Sequence, residues 1–376
     1  MTSTIDAIVA TVEAPFTRIH QGLNRAVINP LDALADLGWR GGFQSQLTLD
    51  DIEASQPVRV MAVHRGAVDV AGPGGTLTLP LTGVLRDEAV AVGDWLLLDR
   101  ETSRPTRVLD RMSLFKRRAA GTGRAEQVIA ANVDTLFIVT SCNQDFNRAR
   151  LERYLALAEQ AQVTPVIVLT KRDLSDDPKG FQREAKRVRP GTLVELVDGR
   201  DPRSVEGLSV WCGTGQTVAL MGSSGVGKST LVNTLTGAET LATAAIREDD
   251  ARGRHTTTGR AMHRLPAGGW LLDTPGMREL QLVDVADGID AVFDDIAALA
   301  QHCRFKDCQH EGEPGCAVQA AIADGRLDPD RLRRYRKLLA EDRFNTESLA
   351  ERRARGKAFN KRARGAMAAK NHRQGI

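Results

Sequence analysis

Residues 219–233 read ALMGSSGVGKSTLVN, Ala219 to Asn233, and the reading of this stretch decides the fold. An apolar strand runs into a glycine-rich turn and then into the start of a helix. Gly222 to Ser229 matches G-x-x-x-x-G-K-[ST] in the strand-to-helix context that the motif requires. Backbone N–H groups of Gly222, Ser223, Ser224, Gly225, Val226 and Gly227, with Thr230 in the first helical turn, can surround phosphates at the positive end of a helix dipole. Lys228 adds a point charge for the β- and γ-phosphates, and Ser229 a hydroxyl ligand for Mg²⁺. A structural turn without a ligand is the weak alternative. The loop opens past the middle of the chain, where a simple nucleotide-hydrolysing domain carries it near the beginning.

Working outward, the neighbourhood alternates strands with helices. Strands are expected at VDTLFIVTS, TPVIVLT, TLVELV and TVALMG, with helices around Ala149 to Gln162, near Phe181 to Val188, and at STLVNTLTG. A hairpin-like pair, AMHRLP and GWLLDT, closes the set. Apolar strands separated by helices imply a mostly parallel sheet with helices on both faces. Before this region, from about Val58, the runs VRVMAVH, GAVDVAG, GTLTLPLTG and VGDWLLLDR are short, alternating and separated by Gly and Pro turns. They suggest a small closed barrel of five strands, of the oligonucleotide-binding kind, ending near Leu114. A barrel that only packs is the alternative, because Trp95 is the one aromatic available as a stacking platform. The expected division is an N-terminal extension over 1–42, weakly patterned and partly flexible, a barrel over 43–114, a nucleotide domain over 115–283 and a helical unit with a basic tail over 284–376. The segment FKRRAAGTGRAEQ, from Phe115, reads as a basic connector between barrel and nucleotide domain.

The base is selected elsewhere. Thr170, Lys171, Arg172 and Asp173 end the strand TPVIVLT, at the carboxyl edge of a parallel sheet where ligands meet such folds. A carboxylate only accepts hydrogen bonds. Guanine offers it two donors, N1–H and the 2-amine, whereas adenine N1 is unprotonated, so Asp173 favours guanine while the stem of Lys171 lies along the base. LLDTPG, Leu271 to Gly276, supplies Asp273 for the Mg²⁺ shell and the Gly276 N–H for the γ-phosphate. In the intervening RGRHTTTGR, Thr257 is the first choice to complete the metal shell when the γ-phosphate is present; a plain polar loop is the alternative.

Of five cysteines, Cys303, Cys308 and Cys316 fall close together, and with His310 they give C-x4-C-x-H-x5-C. Three thiolates and an imidazole suit one structural, tetrahedral Zn²⁺ with no open position, His302 being a competing ligand. The uneven cysteine set argues against a disulfide framework and for a reduced, cytoplasmic protein. The longest apolar run, around Val133 to Cys142, is strand length, well short of the roughly 18 residues a membrane helix needs. The start carries Asp6 and no basic n-region, which speaks against a secretory signal. Net charge is only +3, yet Arg331 to Ile376 carry 15 Lys and Arg against 4 Asp and Glu, leaving 36 against 44 in the preceding residues. Such a basic tail on an acidic body suits salt-sensitive contact with RNA phosphates, a solvated tail being the alternative.

The order of the parts is base recognition, phosphate loop, switch segment, DTPG. That is the sheet of a guanine-nucleotide domain with its termini moved. On EQVIAANVDTLFIV, RLERYL, LTKRDL, GSSGVGKSTLVN, GRHTTT, DTPGMREL and CRFKDCQHEGEPGCAV, over about Val58 to Tyr335, the sequence resembles the circularly permuted GTPases that depend on the small ribosomal subunit. The resemblance implies an α/β permuted P-loop GTPase domain with an N-terminal oligonucleotide-binding barrel and a C-terminal helical zinc domain. It further implies a monomeric, Mg²⁺-dependent GTP hydrolase that binds rRNA and acts late in maturation of the small subunit, without a membrane. Two departures stand out. Where a Ser-Ala loop often supports guanine, this chain reads VDGRD from Val197, and where many GTPases carry a water-orienting glutamine after DTPG it has Met277. Water positioning therefore falls to another group. His255 is the candidate, to which the resemblance also points; a packing or partner-contacting histidine is the alternative. Two competing classes remain: a zinc-stabilised RNA-binding protein holding GTP mainly as a structural ligand, and an ATP-dependent kinase, which Thr170 to Asp173 and DTPG disfavour.

Overall fold

In the computed structural model the described residues are 29–118, 126–237, 260–273, Met277, Leu280 and 282–346. Three short helices come first: α1 (Pro30–Asp36), α2 (Gly41–Gln44) and α3 (Leu49–Ala54). Asn29 caps α1 through its side chain, with Pro30 at the first helical position, and Thr48 with Asp51 closes a capping box on α3. Part of the region expected as a weakly patterned extension is therefore helical. Four- and seven-residue helices are too short to print a 3.6-residue period, which is why the sequence hid them.

The alternating runs form β1 (Ser55–Val63), β2 (Ala67–Gly72), β3 (Gly75–Pro80), α4 (Val84–Asp87), β4 (Trp95–Asp99) and β5 (Pro105–Val108). The strands lie antiparallel in the order β3, β2, β1, β4, β5. Val58, Val60, Val68, Val70, Leu79, Leu96 and Leu98 fill the interior of this unit, and Leu85 of α4 joins them. The opposite face of β4 turns Trp95 and Leu97 toward Leu34, Leu37 and Phe43 of the N-terminal segment. Trp95 is 0% exposed and lies edge-on to Trp39 at 4.8 Å between ring centroids. It is core, not a stacking platform for bases.

The segment expected as a connector is a hairpin, β6 (Leu114–Arg118) with β7 (Glu126–Ala131), paired antiparallel. The nucleotide domain follows as β8 (Thr135–Ser141), α5 (Arg148–Gln160), β9 (Thr164–Thr170), α6 (Pro178–Val188), β10 (Leu193–Leu196), α7 (Pro202–Val205), β11 (Thr217–Met221), α8 (Lys228–Thr236), β12 (Arg260–Arg264) and β13 (Trp270–Asp273). The sheet runs β10, β9, β8, β11, β13, β12, with β12 antiparallel and the rest parallel. All seven residues of β8 are buried because both faces of the sheet are covered. Side chains alternate between the faces. Leu136, Ile138, Ile167 and Leu169 join Leu151, Leu155 and Ala185 of α5 and α6, while Phe137, Val139, Val166 and Val168 join Val205, Leu231 and Val232 of α7 and α8. β1 also pairs with β12 through Ala62 and Val63, so the barrel strands continue the nucleotide-domain sheet.

The last unit is helical: α9 (Ala286–Val292), α10 (Asp294–Ala300), α11 (Ala317–Ala323) and α12 (Pro329–Thr346). α9 lies against α5 at Gly288, where a Cβ would stand 2.2 Å from the Ala156 carbonyl oxygen; only glycine allows that approach. α12 returns to α5 through charge. Glu152, 0% exposed, accepts from Arg334 Nε at 2.8 Å and pairs with Arg331, while Arg153 pairs with Glu341. Burial pushes the Glu152 carboxyl up, and the two guanidinium groups oppose that shift. Among the described residues no helix is long and apolar enough to cross a membrane.

Candidate nucleotide site and metal cluster

β8 and β11 are neighbours, yet the helices that follow them, α5 and α8, pack on opposite faces of the sheet. A crevice opens outside the carboxyl ends of two such strands, and ligands of doubly wound sheets bind there. The phosphate loop, 222–227, lies at this edge. Gly222 is required because a Cβ would come within 2.2 Å of the Val139 carbonyl oxygen of β8. Val226 drops its side chain into the core beside Val139 and Val168, pinning the loop from below. Gly227, with φ +93°, turns the chain into α8. Lys228 is 8% exposed and its Nζ donates to the Gly222 oxygen at 2.7 Å and to the Ser223 oxygen, so the ammonium lies folded over the loop. Ser229 and Thr230 sit half-buried in the first turn of α8.

The turn at Thr170–Asp173 meets the phosphate loop directly, although the two are some fifty residues apart in the chain. Thr170 Oγ1 donates to the Val226 oxygen at 2.5 Å, and Lys171 Nζ donates to the Gly225 oxygen at 2.8 Å. Lys171 holds φ +57°, a left-handed conformation uncommon for a residue with a side chain. That twist starts the 3-10 turn Arg172–Leu174 and sets Asp173 at the sheet edge. The Arg172 guanidinium instead reaches the Leu196 oxygen at 3.5 Å, toward β10.

Two residues at this edge were given no site role by the sequence. Asp145 and Arg150, on either side of the start of α5, pair at 3.0 Å. Across the crevice Ser223 Oγ donates to Asp145 Oδ2 at 2.7 Å and accepts from Arg150 Nη1 at 2.6 Å. Burial works against the charge of Asp145, but the bonds from Ser223 and Arg150 win and hold its carboxyl below the ordinary range. The VDGRD segment is tied to α8 by Thr234 Oγ1, which donates to the Gly199 oxygen at 2.6 Å. Asp145 stands alone in a loop with no period to reveal it, and Arg150, although within RLERYL, gains its role only through the fold that brings Ser223 to it.

The strand β13 brings Asp273 to the same edge, next to β11. Met277, which follows DTPG, is 2% exposed and packs in the core, as a methionine without a water-orienting role would. His255, Thr257 and Gly276 lie outside the described residues.

The second cluster sits between α10 and α11. Cys303, Cys308, His310 and Cys316 bring one ligand atom each to within 4.8 Å of one another. Cys303 Sγ is 3.9 Å from Cys316 Sγ, and His310 Nδ1 lies 3.6 Å and 3.4 Å from those two sulfurs. Tetrahedral zinc with Zn–S near 2.3 Å needs S···S edges of roughly 3.8 Å, so this donor set fits the ion. Nδ1 is the ring nitrogen turned inward. Burial keeps the His310 imidazole below its ordinary pKa, hence neutral, the form that ligates. Glu313 braces the loop by accepting from the backbone N–H groups of Gln309 and Glu311, each at 2.7 Å. His302, the competing ligand, is exposed and outside the cluster.

Comparison with known proteins agrees with this geometry. Residues 108–283 match the family model described as RsgA GTPase. The chain is similar to the small ribosomal subunit biogenesis GTPase RsgA 2 of Vibrio parahaemolyticus, 52% identical over 348 residues that cover 93% of this chain and 96% of that protein. It is also similar to the small ribosomal subunit biogenesis GTPase RsgA of Mesorhizobium japonicum, 50% identical over 327 residues covering 86% and 94% respectively. Among solved structures, YjeQ from Thermotoga maritima superposes with a TM-score of 0.58 at 25% identity, covering 76% of this chain and 98% of that one. YloQ, described as a circularly permuted GTPase, shares the fold with a TM-score of 0.55 at 21% identity, covering 78% and 97%.

Proposed function

Because the chain belongs to the RsgA GTPase family, we propose that it hydrolyses GTP as a late assembly factor of the small ribosomal subunit, binding rRNA and being stimulated by the subunit. The observation that carries this reading is the direct bonding of the base-reading turn to the phosphate loop through Thr170 and Lys171. Base selection and phosphate binding thereby form one site despite their reversed order in the chain.

In this reading Asp173 accepts the two donors of guanine, and Lys171 flanks the base. The backbone N–H groups of Gly222 to Gly227 cradle the β-phosphate, while Lys228 leaves its carbonyl partners for the phosphate oxygens. Ser229 and Thr257 hold Mg²⁺, Asp273 supports its shell, and Gly276 donates to the γ-phosphate. Mg²⁺, when bound, neutralises charge developing between the β- and γ-phosphates. With Met277 unable to orient water, His255 positions the nucleophile. Cys303, Cys308, His310 and Cys316 hold one structural Zn²⁺. The protein works as a monomer in the cytoplasm, with GTP, GDP and the small subunit as its partners.

Turnover by the free protein is expected to be slow and to rise sharply on adding purified small subunits, with His255→Ala losing most of that rise. The measurement is multiple-turnover phosphate release. Turnover unchanged by subunits contradicts the proposal and favours a zinc-stabilised RNA-binding protein that keeps GTP as a structural ligand.

A further inference from the structure

The segment Val197–Asp201 departs from the Ser-Ala pattern that often supports guanine, and the atoms around it show what stands in that place. Arg200 Nη2 donates to Asp173 Oδ2 at 2.5 Å, and its Nε lies 3.4 Å from Asp198 Oδ1. One guanidinium thus bridges the carboxylate assigned to base reading and a second carboxylate on its own loop.

That loop is held from several sides. Asp198 Oδ1 accepts from the Arg200 backbone N–H at 3.0 Å, Ser204 Oγ accepts from the Asp198 N–H at 2.8 Å, and Thr234 of the phosphate-loop helix bonds the Gly199 oxygen. Arg200 therefore starts from a fixed backbone, although its side chain is two-thirds exposed. The guanidinium places a positive charge between the two carboxylates and supplies Asp173 with a donor.

We propose that Arg200 is a specificity-determining positioning residue for guanine. It orients the Asp173 carboxylate and directs a further N–H to guanine O6. A carboxylate has about four acceptor positions and a guanidinium five donors, so Asp173 can accept N1–H and the 2-amine while still bonded to Arg200. O6 is the atom next to N1, and it is an acceptor, so a donor held on the Asp173 oxygen is suited to it. Adenine presents a 6-amine at this position, donor facing donor, which adds to its rejection. The inference rests on the reading of Asp173 as the guanine-binding carboxylate.

The test compares GDP with 6-thio-GDP, which keeps N1–H and the 2-amine at neutral pH but replaces O6 by sulfur, a weak acceptor. Affinities are measured for the full chain, wild type and Arg200→Ala, with circular dichroism confirming folding. The expected result is a loss of about tenfold in GDP affinity and a much smaller loss for 6-thio-GDP, so that the preference between them collapses. Arg200→Lys, which keeps one charged donor, is expected to recover part of the preference. Equal losses for both nucleotides, or no loss, overturn the assignment. Asp173→Asn separates the two readings, because its amide N–H matches the C2 oxygen of xanthine. If that variant exchanges GDP for XDP while Arg200→Ala leaves the GDP to 6-thio-GDP ratio unchanged, only the role of Arg200 fails. If it does not, the assignment of Asp173 fails first.

Discussion

Arg59 joins three segments of the chain with one side chain. It is 2% exposed and donates to the Leu37 oxygen at 2.6 Å, the Asn132 oxygen at 3.0 Å and the Gly93 oxygen at 3.4 Å, so it ties the N-terminal helices, the barrel and the entry to β8. Burial pulls the guanidinium down to about 10, which leaves it charged at neutral pH. Two effects oppose each other on substitution. Losing a buried charge removes a desolvation cost, but it orphans buried carbonyls at about 1–3 kcal/mol each. With three carbonyls at stake the second wins, and Arg59→Met is expected to destabilise the protein by about 3 kcal/mol in urea unfolding. Stability equal to wild type would show that the desolvation cost dominates. Arg59 is also a residue the sequence could not single out, since an arginine in an alternating strand reads as a solvent-facing position. The glycines and Lys228 of the phosphate loop were legible for the opposite reason: Gly222 and Gly227 are forced by close approach and backbone twist, which leave few alternatives.

At the scale of elements, the sequence resolved whatever carried a long period. Strands β8 to β11 and helices α5, α6 and α8 fall close to their expected places, the strands because buried parallel strands are unbroken apolar runs. The hairpin β6 with β7 was hidden because Lys116 and Arg117 break its alternation, and α1 and α2 because they are short. The metal loop was legible through the spacing of Cys303, Cys308, His310 and Cys316, and the competing His302 lies outside the cluster. Its stability is expected to depend on the ion, since the ion is what draws three deprotonated sulfurs and an imidazole together, and without it the thiols take up protons. The neighbouring helices stay packed through Phe293, Ile296, Val318 and Leu332, which belong to the same core as α5 and the adjoining sheet face. Chelation is therefore expected to raise hydrogen exchange sharply over 303–316 while GTP binding persists. Unchanged exchange in that loop would contradict the metal assignment, and loss of nucleotide binding would contradict the expectation that this shared packing survives without the ion.

At the scale of the molecule, the permutation sets which parts are neighbours in the chain. β13 and DTPG are the last parts of the nucleotide domain in chain order, so this segment leads within a few dozen residues into α9 and the metal loop. α5 makes a second connection: Arg150 touches Ser223 of the phosphate loop, and two and three residues on, Glu152 and Arg153 grip α12. Arg150, Glu152 and Arg153 all lie in the first turns of α5, so the phosphate loop and α12 meet the same end of one helix. From this adjacency we expect a switch in which GTP sets the pose of the C-terminal unit on rRNA and hydrolysis releases it. The most direct test is the affinity of the full chain for purified small subunits, measured with a non-hydrolysable GTP analogue and with GDP. The account predicts binding about tenfold or more tighter with the analogue, within the usual range of coupling energies. Equal affinity in the two nucleotide states would contradict it.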